Sequence, residues 1–190
     1  KEALPDFMEK IANAGCEVFI IHARKAFLKG LSPTQNREVP PLNYALVEEM
    51  KERWPRLKII LNGGIETLED VRQHLSKLDG VMLGRAAYKT PWILSIVDNL
   101  IFGEPEKCMN RKDVIEMMVD YAATQKSLGV PIKSITRHML GLFHAEPGAK
   151  TWRKFLAEEA RSLDAEAEII RHAYFAVCEA ASLKTQGEAA

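Results

Sequence analysis

Three short apolar runs, each passing straight into a polar or glycine-rich turn, constrain this chain more than any other feature. The runs are Glu17 to Ile21, Lys58 to Leu61 and Val81 to Leu83, and they end in His22-Ala23-Arg24-Lys25, Asn62-Gly63-Gly64 and Gly84-Arg85. Runs this short, rich in β-branched residues, read as strands rather than helices. Two amphipathic helical patterns separate them. One is Tyr44 to Arg53, with Ala45, Leu46, Val47 and Met50 apolar; the other is Thr67 to Leu75, where Thr67 and Asp70 have the spacing of a capping box. Helical crossovers between strands are right-handed and leave the strands parallel. Continuous apolar runs also signal strands covered on both faces. All three polar ends then lie on one side of the sheet, the layout of a phosphate-bearing cofactor site at the C-terminal mouth of a β/α barrel. Three strands are too few to close that barrel.

The rest of the chain reads differently. Residues 29 to 43, rich in Ser, Pro and Asn, read as a loop. After Gly103-Glu104-Pro105 the pattern becomes helical, with Asn110 capping a helix to Leu128 whose stripe is Val114, Ile115, Met118, Val119 and Ala122. Further helices are expected over Ile132 to Phe143, Ala149 to Arg161 and Ser162 or Asp164 to Ser182, together a small bundle, with a frayed tail from Leu183. The expected fold class is therefore α/β followed by all-α: residues 1–103 carry the strands, 104–182 the bundle, and 183–190 a tail. At the other end, Lys1-Glu2-Ala3 opens in the body of a helix with Phe7, Ile11 and Ala14 at helical spacing, so the sequence is expected to begin inside a larger protein.

Charge is balanced over all 190 residues but not locally. Lys126 to Lys154 holds six Lys or Arg against one acid, Glu146, whereas Phe155 onward holds three basic residues against seven acidic ones. Such a split can put a basic, anion-binding face on the bundle. Cys16, Cys108 and Cys178 lie far apart without metal-ligand spacing, which argues against disulfide and zinc frameworks and for a cytoplasmic setting.

Among the strand ends, Asn62-Gly63-Gly64 lets backbone N–H groups turn toward a ligand near the positive end of the Thr67 helix. A plain tight turn is the bland alternative. Gly84-Arg85 repeats the layout with a guanidinium, which clamps phosphate in bidentate fashion. Imidazole at His22 can hydrogen-bond a cofactor ring or phosphate, and Arg24 and Lys25 add charge to the same mouth. Trp54, Trp92 and Trp152 read as packing residues, with base stacking open to Trp152. Met117, Met118 and Met139 read as bundle core. His138 and His144 are placed on a helix of the basic segment, where phosphate contact competes with a structural role.

Three segments, IIHARKAFLKGLSPTQNREVPPLNY, IILNGGIETLEDV and GVMLGRAAYKTPW, resemble the tRNA-dihydrouridine synthases, in particular the A-type bacterial branch. So does SITRHMLGLFHAEPGAKTWRKFL in the helical tail, and the likeness runs from about Glu17 to Cys178. The resemblance implies an FMN-bearing TIM barrel followed by a helical tRNA-binding domain, a flavoprotein oxidoreductase using NADPH to reduce a uridine of the tRNA D-loop to 5,6-dihydrouridine, at position 20 or 20a. It implies FMN contacts for His22, Asn62, Gly63, Gly64, Gly84 and Arg85, and tRNA contacts for Gln35, Glu38, Lys150 and Arg153. It also implies a monomer when complete, with no metal.

In that family the catalytic cysteine, a flavin-contacting lysine and the first FMN loop precede the strand that starts here. None of the three cysteines fits the catalytic motif, so the chain is expected to carry no catalytic residue of its own and to be inactive without the first five barrel strands. Two other readings stay open. Another FMN barrel acting on a small molecule would explain the glycine turns but not HARKAFLKGLSP or the basic segment. A non-catalytic RNA-binding module would bind tRNA without flavin.

Overall fold

The computed structural model describes residues 3–27, 29–105 and 109–187, with side chains as far as Leu183. Cys108 and positions 188–190 of the expected tail lie outside the described residues. The chain divides into two compact units, Lys1–Ala86 and Ala87–Ala190.

Unit one opens with α1 (Ala3–Asn13) and continues through β1 (Val18–His22), α2 (Pro33–Glu38), α3 (Tyr44–Arg53), β2 (Lys58–Asn62), α4 (Leu68–Leu75) and β3 (Gly80–Met82). The strands form one parallel sheet in the order β1-β2-β3. The α4 start follows the expected chemistry: the Thr67 hydroxyl accepts from the Asp70 N–H, and the Asp70 carboxylate accepts from the Thr67 N–H, both at 3.1 Å. Asp79, just before β3, stitches the sheet's near end. Its carboxylate accepts from the Ile59 N–H at 2.9 Å and pairs with Lys51 at 2.7 Å.

Among the described residues only one face of the sheet is covered. Phe19, Ile21, Ile59 and Leu61 are buried, along with Met8 of α1, Val47 and Met50 of α3 and Val71 of α4. On the opposite face Val18 and Ile20 are more than half exposed and Met82 is 42% exposed. The apolar runs are strands, as expected, but the covering of both faces that such runs signal is met on one face only among the described residues. Helix α1 is turned relative to the expected stripe. Met8 is buried, whereas Phe7 is exposed and lines an open groove of about 640 Å³ beside β1.

The 29–43 segment is not a plain loop. Ser32 caps α2 in a reciprocal box with Gln35, and Pro33 occupies the first helical turn, where its missing N–H costs nothing. Asn36 pins this turn to Phe27 through bonds of 2.8 and 2.9 Å.

Unit two begins within α5 (Arg85–Lys89) and continues as a 3₁₀ segment (Pro91–Ile96), α6 (Val97–Phe102), α7 (Arg111–Ser127), α8 (Ile132–Thr136), α9 (Ala149–Glu159) and α10 (Ile169–Gly187). A single core gathers Ile115 and Val119 of α7, Ile132 and Ile135 of α8, Trp152 and Leu156 of α9, and Ile170 and Val177 of α10. Trp152 is fully buried, its indole N–H donating to the Met139 carbonyl at 2.9 Å, so it cannot stack on a base. Met139 belongs to the core, but Met117 points outward at 61% exposure, contrary to the expected methionine core.

Two expected helices have other bounds than their apolar patterns suggest. The helix expected over Ile132 to Phe143 stops at Thr136, and turns follow through Gly148. His138 and His144 lie in these turns rather than on a helix. A Cβ on Gly141 would sit 2.3 Å from the Lys89 carbonyl oxygen, so two backbones touch there. Arg111 also holds the turns: its guanidinium donates to Leu142 O at 3.1 Å, pairs with Glu146 at 2.8 Å and stacks on Trp92. The last helix starts at Ile169 rather than near Ser162 or Asp164. Ser162 Oγ instead accepts from the Asp164 N–H at 3.1 Å, a local turn, and α10 runs on to Gly187.

Candidate phosphate-binding site

The parallel register sets the three strand ends abreast, with His22 opposite Asn62 and Asn62 opposite Met82. Because neighbouring residues of a strand point to opposite faces, His22 and Asn62 share the open face, while Ala23 is buried. His22, Asn62, Gly63, Gly64, Gly84 and Arg85 all line one cleft of about 340 Å³. The structure thus brings together every residue read from the three strand ends as a cofactor contact.

The glycines do different work. Gly63 and Gly64 have φ of +119° and +72°, which side-chain-bearing residues rarely adopt. A Cβ on Gly64 would lie 2.5 Å from Leu42 Cδ1 and 3.0 Å from the Tyr44 hydroxyl, so the close approach there is made by the protein itself. Over Gly84 nothing lies within 4 Å, and that is where the space for a ligand is. The N–H groups of Gly63, Gly64 and Gly84 donate to no acceptor among the described residues.

Tyr44 locks the glycine turn by donating its hydroxyl to the Gly63 carbonyl at 3.0 Å. Burial raises the phenol above its ordinary value, the Asp70 and Glu66 carboxylates raise it further, and Arg24 opposes them. The hydroxyl therefore keeps its proton and remains a donor.

Positive charge reaches the cleft from Arg85 and from Arg37, which lines it beside Glu66. Arg24 and Lys25 do not line it. Arg24 turns toward the 38–42 segment, where its Nη1 donates to the carbonyls of Glu38 and Pro40. Lys25 sits over the Phe27 ring. Arg37 was missed because it lies far from the strand ends in sequence; the available signal was its place in NREVPP, next to Glu38.

The residues implied as tRNA contacts fall in both units. In unit one the Gln35 side-chain oxygen accepts from the Ser32 N–H at 2.8 Å, and the Glu38 carboxylate pairs with Arg85 at 2.9 Å. In unit two Lys150 and Arg153 are exposed on α9. There Arg111, Lys126 and Arg171 are matched by Glu146, Glu166 and the pair Glu116 and Glu168. Lys133, Arg137, Lys150, Arg153 and Lys154 have no carboxylate partner among the described residues. Lys126, part of the basic run in sequence, is thus neutralised by its own fold. Cys16 bonds the Val18 carbonyl at 3.4 Å before β1, and Cys178 is exposed on α10.

Free N–H donors, the guanidinium groups of Arg85 and Arg37 and an open space above Gly84 fit a phosphate monoester. Among the described residues no helix is long and apolar enough to cross a membrane.

The family model described as dihydrouridine synthase (Dus) matches residues 1–177. The tRNA-dihydrouridine(20/20a) synthase of Shewanella oneidensis is 46% identical over 176 residues, covering 93% of this chain and 52% of the relative. The protein of the same description from Escherichia coli K12 is 46% identical over 173 residues (90% of this chain, 50% of the relative), and that of Pasteurella multocida is 44% identical over 172 (90% and 53%). The chain spans about half the length of these curated relatives. On the match along nearly its whole length, the chain belongs to the dihydrouridine synthase family.

Proposed function

We propose that the chain is the C-terminal part of a flavin-dependent tRNA-dihydrouridine synthase, reducing a D-loop uridine at position 20 or 20a with NADPH. In this reading residues 1–103 are the last three strands of an FMN-holding TIM barrel, and 104–182 are a helical tRNA-binding domain. The observation that carries it is the convergence of His22, the Asn62-Gly63-Gly64 turn and Gly84-Arg85 on one cleft, in a chain whose relatives are named for this activity. The open sheet face of Val18, Ile20 and Met82 supports the barrel, because apolar strands of this kind are covered by further strands and side chains when the barrel closes.

FMN, when bound, supplies the electrons that reduce the uracil ring. The chain's own residues hold and orient it. Arg85 and the N–H groups of Gly63, Gly64 and Gly84 would hold the phosphate, and His22 and Asn62 would contact the flavin. The group that protonates the uracil is assigned outside this chain, since none of Cys16, Cys108 and Cys178 fits the family's catalytic motif, and the chain alone is inactive. The unpaired cations Lys133, Arg137, Lys150, Arg153 and Lys154 take RNA phosphates. Lys150 lies in the first turn of α9, where the helix dipole disfavours a cation unless an anion approaches.

The test is flavin affinity in the complete protein. Arg85→Ala is expected to weaken FMN binding about ten- to a hundredfold, the worth of a charge-assisted hydrogen bond, with riboflavin binding unchanged. Equal FMN affinity in wild type and variant would end the phosphate assignment. NADPH-driven conversion of uridine in tRNA by the complete protein, and none by this chain alone, tests the rest.

A further inference from the structure

Arg85, the cation assigned to phosphate, already has an anionic partner. Its Nη1 lies 2.9 Å from Glu38 Oε1, joining the mouth of β3 to the last residue of α2. We infer that Glu38 and a ligand phosphate compete for Arg85, so that filling the cleft unlatches the C-terminal end of α2. This rests on the phosphate reading above.

Three observations support the competition. First, the pair is half open to water, with side-chain exposures of 39% and 54%, so it is weak and replaceable. A phosphate offers the same guanidinium a stronger bidentate partner. Second, a carboxylate held this close to a guanidinium that donates to a phosphate faces a like charge, which disfavours holding both at once. Third, α2 is held at distinct points. The Ser32–Gln35 box and the Asn36–Phe27 bonds hold its start and middle, whereas its end rests on Arg24 at the backbone and Arg85 at the Glu38 carboxylate. Losing the Arg85 tie leaves Arg24 on the Glu38 carbonyl as the remaining side-chain hold, so the end alone loosens, and with it Arg37, which lines the cleft. Cofactor capture and the posture of a segment assigned to tRNA are thereby coupled through one guanidinium.

The experiment uses the complete protein and two probes, FMN and riboflavin. Affinities are read by flavin fluorescence, and hydrogen exchange of 33–39 is followed with and without FMN. Glu38→Gln is expected to bind FMN about two- to fivefold tighter, the worth of an exposed ion pair, with riboflavin unchanged. In wild type, FMN is expected to speed exchange at the end of α2; in Glu38→Gln that exchange starts fast and FMN does not alter it. Equal or weaker FMN binding by Glu38→Gln, or protection of 33–39 by FMN in wild type, overturns the competition. Should Arg85→Ala lose FMN affinity while Glu38→Gln leaves it unmoved, the competition fails and the phosphate site stands. Should Arg85→Ala leave FMN affinity intact, the phosphate site itself fails.

Discussion

Alanine at position 64 and alanine at position 84 separate the architecture of the cleft from its ligand. Gly64 sits at φ +72°, where a Cβ costs about 1–2 kcal/mol. That Cβ would meet Leu42 Cδ1 at 2.5 Å, and turning Leu42 off its rotamer adds about 0.5–1.5 kcal/mol. The same Cβ, at 3.0 Å, crowds the Tyr44 hydroxyl and endangers its bond to Gly63 O, worth about 1 kcal/mol. Together these terms predict that Gly64→Ala loses about 3 kcal/mol. Gly84 meets nothing within 4 Å, so Gly84→Ala is expected to stay within about 0.5 kcal/mol of wild type. Its methyl would instead fill ligand space and weaken FMN binding. Equilibrium urea unfolding and FMN titration of both variants, in the complete protein, make the comparison. The reasoning is refuted if Gly64→Ala is as stable as wild type, or if Gly84→Ala unfolds more easily while binding FMN normally.

Three further outcomes are expected. Trp152→Ala should cost about 3–5 kcal/mol in urea unfolding, because a fully buried ring is removed and the Met139 carbonyl loses its donor. Asp79 should add an acid-sensitive component to stability. Burial alone would raise its pKa, but the Lys51 bond, the Ile59 N–H and the charges of Lys51 and Lys58 outweigh it and hold the carboxyl below its ordinary 3.8. Its contribution is therefore present above that value and lost as pH falls through the depressed one; unfolding profiles from pH 7 to pH 2 should show a loss that Asp79→Asn lacks. Lys150→Ala combined with Arg153→Ala should flatten the salt dependence of tRNA binding by about one to two units of log K against log salt, and an unchanged slope would remove both residues from the RNA surface.

What could be read in advance was what depends on neighbours in sequence. The Thr67–Asp70 box, the Asn110 cap and the three strand ends are local patterns, and each turned up where expected. Side-chain direction was less legible. Adjacency to His22 suggested that Arg24 and Lys25 serve the cleft, but the residue after a strand end starts a new backbone direction, and Arg24 bends back to the Glu38 and Pro40 carbonyls. The α2 turn hid among Pro and Asn residues that usually signal irregular chain. Its cap was visible in Ser32 and Gln35, three apart, but no apolar stripe accompanied it. Helix α8 carried an apolar pattern beyond its end because Met139, Leu142 and Phe143 are buried from turns, which periodicity cannot distinguish from a continuing helix. The Arg85–Glu38 pair spans 47 residues, a separation no local pattern records.

The register of the sheet also carries a kinetic message. Ile60 and Gly80 are partners 20 residues apart, whereas Val18 and Lys58 are 40 apart. Doubling the closed loop costs about 0.6 kcal/mol in chain entropy, and contacts distant in sequence form late. The β2–α4–β3 unit is therefore expected to assemble before β1 docks. Amides of Ile59 to Leu61 should gain protection ahead of those of Ile20 to His22 in pulse-labelled refolding. The cleft is then built in order, with the glycine turns and Arg85 first and His22 last.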